Sequence, residues 1–145
     1  MRRRRLLAAL AGLAVGTAGC TGSAGPPART PTDEGELRIV GESMTTADGS
    51  CATDGDAASV AVGDDAVRVD GRLATATPCH GATLAEARLD GSRLVVVVDP
   101  TEPTAGACAQ CLGVVPYDLT VRFAGGLPTA VRVVHDGETV TTTER

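Results

Sequence analysis

From residue 36 onward, apolar side chains recur at every second position rather than at helical spacing. The clearest case is Tyr117, Leu119, Val121 and Phe123, which alternate with Asp118, Thr120 and Arg122. Successive side chains of an extended strand point to opposite faces, so this pattern predicts a strand with one buried and one wet face. Val67 and Val69 alternate with Arg68 and Asp70 in the same way. Residues 94–98 form an unbroken apolar run closed by Asp99-Pro100, as expected of a central strand covered on both faces.

The turns are equally legible. Gly63-Asp64-Asp65, Asp90-Gly91-Ser92 and Gly125-Gly126-Leu127-Pro128 predict hairpins joining 59–62 to 67–76, 83–89 to 93–98, and 114–123 to 129–135. Asp136-Gly137 opens a last strand through Val140, and 36–41 supplies one in front. The alanine-rich stretch 82–89 is the one competitor for a helix. The expectation is an all-β fold, an antiparallel β-sandwich of immunoglobulin-like or Greek-key type with seven or eight strands over 36–145.

The first 35 residues have a different character. Arg2, Arg3, Arg4 and Arg5 form a cationic start, followed by an apolar run over 6–18 and then Gly19 and Cys20. A span needs about 20 apolar residues, so this run is short for a transmembrane helix and fits a secretory leader over 1–19. The arginines also admit a twin-arginine export signal. Residues 21–35 are rich in Gly, Pro, Thr and Ser without apolar periodicity. Together with Cys20 they read as a flexible tether, 20–35, with a reach of roughly 20–25 Å.

Ala18-Gly19-Cys20 resembles the end of a lipobox, with Thr17 where a leucine is usual. The resemblance implies lipidation on Cys20, cleavage just before it, and residence on the extracytoplasmic face of the membrane. From Cys20 onward there are 9 arginines and 18 acids, a formal charge of 9 − 18 = −9. That surface repels nucleic acid and anionic headgroups, and a chain with one tyrosine, one phenylalanine and no tryptophan has no base-stacking platform. The absence of lysine and an 11 to 7 excess of Asp over Glu resemble proteins of halophilic archaea, with a GC-rich actinobacterial protein as the alternative. Residues 51–136 are similar to small haloarchaeal lipoproteins through Cys51, Pro78-Cys79 with Ala82 and Leu84, Cys108-x-x-Cys111, Tyr117, and the segment from Pro128 to His135. This similarity implies a fold more than an activity.

Four cysteines remain after the anchor, and a small domain with few aromatics needs covalent support. Four cysteines allow three pairings. If the first hairpin continues in register, Cys51 meets Cys79 beyond its open end, and Cys108 and Cys111 close a small ring; a loop over 52–57 would loosen that register, and the pairs could cross. Following strand directions, Cys51, Cys79, His80, Cys108, Cys111 and His135 all fall at one end of the domain, opposite the entry of the lipidated terminus. The alternative use of this pole is a zinc or copper site built from Cys79, His80, Cys108 and Cys111, or a redox pair.

Other chemistry is weakly marked. Gly41-Glu42-Ser43-Met44-Thr45 lacks the second glycine of a nucleophile elbow, and His80 and His135 give a Ser-His-Asp triad no support. Asp48, Asp54, Asp56, Asp64 and Asp65 do not match a calcium loop. Tyr117 and His135 read as core side chains. The expected function is a non-catalytic, monomeric binding or structural module in the cell envelope, with no cofactor, its envelope-protein or small-molecule partner left open. The alternative is metal or redox handling at the pole.

Overall fold

The computed structural model describes residues 35–145; the leader (1–19), Cys20 and the tether up to residue 34 lie outside the described residues. The described part is an all-β sandwich of nine strands: β1 Arg38–Thr46, β2 Ser50–Cys51, β3 Ala57–Val62, β4 Ala66–Thr75, β5 Ala82–Asp90, β6 Arg93–Pro100, β7 Gly113–Ala124, β8 Ala130–His135 and β9 Glu138–Glu144. One sheet has the order β1-β7-β4-β3, with β2 added to β7, and the other has the order β5-β6-β8-β9.

The period-two residues form the interface between the sheets. Val67, Val69 and Leu73 of β4 and Tyr117, Leu119, Val121 and Phe123 of β7 face Leu94, Val96 and Val98 of β6 and Val131 and Val133 of β8. Branched aliphatic side chains suit this pleated, half-buried surface. On the opposite face of the first sheet, Arg68 lies between Asp70 and Asp118 and is hydrogen-bonded to Asp118. That bond lowers the Asp118 carboxyl from its ordinary value and raises the Arg68 guanidinium.

Three of the four expected turns make hairpins, β3–β4, β5–β6 and β8–β9. The alanine-rich stretch is strand, β5, and not helix. The fourth turn, Gly125-Gly126-Leu127-Pro128, is a correction. It carries the chain from β7 in one sheet to β8 in the other, so these strands do not pair. Gly125 has a φ of 80° and packs against the Glu36 backbone so closely that any Cβ there would collide. Because β7 lies in the opposite layer, β6 and β8 become neighbours running the same way, the one parallel pair among the described residues.

One strand is longer than expected and one was not expected at all. The first strand extends five residues beyond Gly41, through Thr46, along the edge of its sheet. Its outer half lacks apolar alternation because an edge position buries little. The two-residue β2 pairs Ser50 with Val114 and Cys51 with Gly113, a contact that no local pattern announces.

Candidate functional site at the cysteine and histidine pole

The β3–β4 hairpin stops pairing at Ala57 and Arg72. At that point the side chain of Asp56 replaces the next ladder bond, accepting the Ala74 N–H at 2.8 Å. The preceding segment therefore leaves the β4 side, and Cys51 pairs with the start of β7 instead. This overturns the in-register pairing. Cys51 is bonded to Cys111, and Cys79 to Cys108. The Cys51–Cys79 and Cys108–Cys111 bridges do not form, because loop 52–56 moves Cys51 away from Cys79.

The expected clustering is nevertheless present. Cys51, Cys79, Cys108 and Cys111 join three loops at the end where β4 finishes and β7 begins. Around them the backbone is tightly connected: Thr104 N–H donates to the Cys79 carbonyl at 3.1 Å, and Ala52 N–H to the Leu112 carbonyl at 3.1 Å. Gly49 and Gly113 lie against the backbone of Thr77 and Pro78, where a Cβ on either would collide. His80 donates from Nδ1 to the Thr101 carbonyl at 2.8 Å.

The sulfurs of the metal alternative are taken up by disulfides. Cys79 and Cys108 bond each other, Cys111 bonds Cys51, and His80 Nδ1 is engaged by the Thr101 carbonyl. Among the described residues no group of three or more His, Cys, Asp or Glu side chains is placed to hold an ion.

His135 ends β8 at the same pole but points into the core, with 1% of its surface exposed. Its Nε2 lies 2.6 Å from the Tyr117 hydroxyl, and its Nδ1 lies 2.9 Å from Asp56 Oδ1. One proton arrangement satisfies every group: the phenol donates to Nε2, and Nδ1–H donates to the carboxylate. The two rings meet edge-on, with centroids 5.5 Å apart. Opposite the ring, β4 carries Gly71, which pairs with Tyr117 and whose missing Cβ makes the space the ring occupies. Burial pushes the Tyr117 phenol well above its ordinary value, and the charge of Asp56 adds to the shift.

The Asp56–His135–Tyr117 chain has the connectivity of a catalytic triad, yet its terminal hydroxyl sits in a residue only 4% exposed. A phenol held protonated inside the core is a poor nucleophile. Its physical effect is to brace one sheet against the other and to hold the loop before β3. Asp56 was legible only as one of several surface acids, since nothing near it in the chain announces a partner 79 residues away. No family model, curated protein or solved structure matches this chain.

Proposed function

We propose that this chain is a lipid-anchored lipoprotein of the cell envelope whose disulfide-stapled sandwich is a non-catalytic binding or structural module. The observation that carries the reading is the disulfide pair. Two bridges joining three loops form and persist outside a reducing cytoplasm. That supports the reading of residues 1–19 as an export leader followed by a lipidated Cys20. The acidic surface from residue 20 onward is repelled by anionic headgroups, so a lipid on Cys20 is the attachment consistent with its charge.

The test is Cys20→Ser. The variant is expected in the soluble fraction after a salt wash, with the melting temperature of the unaltered protein. Retention on the membrane would overturn the lipid anchor.

A further inference from the structure

Leu112 and Val40 are the large hydrophobic side chains left exposed among the described residues, Leu112 at 69%. Val40 has a local cause, since it lies at the bulge in β1 between Ile39 and Gly41. Leu112 has none, and its backbone is held on every side. Cys111 before it is bonded to Cys51, its own carbonyl accepts the Ala52 N–H, and Gly113 after it is wedged against Thr77 and Pro78. A segment fixed in this way cannot turn its leucine inward. Leu112 itself lines a shallow open groove of about 660 Å³, together with Cys51, Ala52, Thr53, Asp54 and Cys111. An apolar side chain held rigidly next to a groove loses little conformational entropy on binding, which is what an interface anchor requires.

Charge selects the occupant. Asp48, Asp54, Glu102 and Asp136 are exposed on the loops of this pole. Arg38, Arg93, Arg122 and Arg145 lie toward the opposite ends of their strands. Arg72 pairs with the groove's Asp54 at 3.3 Å and offsets that carboxylate, so the acidic character of the pole rests mainly on Asp48, Glu102 and Asp136. We propose that Leu112 and its groove dock an apolar segment of a protein partner that is flanked by basic residues. An anionic lipid surface is disfavoured by the same carboxylates. So is a second copy, because a two-fold contact would bring two acidic poles together. The inference rests on the reading of the domain as a binding module and names its partner class.

The experiment uses the full, oxidised chain and three peptide probes sharing one apolar sequence, flanked by arginines, by glutamates or by serines. The methyl signals of Leu112 and Val40 are followed by NMR. The arginine-flanked peptide is expected to shift Leu112 and not Val40, and to bind at least about ten-fold tighter than the other two. Its binding is expected to weaken as salt rises. Leu112→Ser should abolish that binding at unchanged melting temperature, and Asp54→Asn should weaken it. Equal binding of all three peptides, full binding by Leu112→Ser, no binding at all, or self-association through Leu112 would each overturn the proposal. Membrane attachment is read separately by the fractionation of Cys20→Ser, so failure of the docking surface and failure of the anchor are distinguishable.

Discussion

Tyr117 and His135 belong to different sheets, and a 2.6 Å hydrogen bond from the phenol to Nε2 joins them inside the core. Removing the hydroxyl leaves a buried ring nitrogen without a donor, at a cost of about 1–3 kcal/mol. Tyr117→Phe is therefore expected to lower the melting temperature by at least about 4 °C, measured by circular dichroism. Asp56→Ala should cost more than Asp56→Asn, because it strands both His135 Nδ1–H and the Ala74 N–H. An unchanged melting temperature in Tyr117→Phe would show that the bond contributes nothing.

Gly71 tests the same brace from the other side. A methyl group at this position meets the Tyr117 ring, so the ring must move away from β4. Gly71→Ala is expected to destabilise by about 1–3 kcal/mol, as overpacking in a close-packed core does. Its loss and that of Tyr117→Phe should add to less than their sum, because both act on one bond. Full additivity in a double-mutant cycle would count against a shared mechanism.

Alkali should expose the phenol's environment directly, since Tyr117 is the chain's single tyrosine and there is no tryptophan. The folded phenol is raised above its ordinary value of 10.0 by burial and by Asp56. Up to that value both folded and unfolded chains keep the proton, and this group leaves stability unchanged. Above it the unfolded chain releases the proton first, so stability falls as pH climbs. Phenolate absorbance is expected to appear together with loss of the sheet signal. Ionisation near 10.0 in a still-folded protein would contradict the buried placement.

The nested bridges, Cys51–Cys111 outside and Cys79–Cys108 inside, close loops of 60 and 29 residues respectively. In the chain-entropy model these are worth about 4.3 and 3.6 kcal/mol. Alanine at any of Cys51, Cys79, Cys108 or Cys111 should therefore produce a comparable, large drop in melting temperature. Mapping checks the connectivity. Cleavage after arginine leaves Cys108 and Cys111 in one peptide, 94–122, while Cys51 and Cys79 fall in 39–68 and 73–88. The nested bridges hold all three peptides together until reduction, as crossed ones would. A linked pair of 39–68 and 73–88 with 94–122 free would instead restore the in-register pairing. Fragmentation between Cys108 and Cys111 then assigns each partner.

What the sequence by itself determined is whatever depends on near neighbours. The alternation from Tyr117 to Phe123 makes a strand with one buried face wherever that strand is placed. Gly63-Asp64-Asp65 and Asp136-Gly137 reverse the chain through local backbone conformation. The direction of each strand follows from counting such reversals, which is why the cysteines and histidines could be gathered at one end. Partner choice was decided by tertiary structure. Gly125-Gly126 reads the same as a hairpin or as a passage between sheets, and only the burial available on both layers separates β7 from β8. The cysteine pairing turns on Asp56, whose carboxylate caps Ala74 and reaches His135, and so redirects the loop that carries Cys51. Tyr117 and His135 are each readable as core residues, but a bond between them needs both sheets in place. Periodicity reports which face of an element is dry; it holds no information about which distant dry face will cover it.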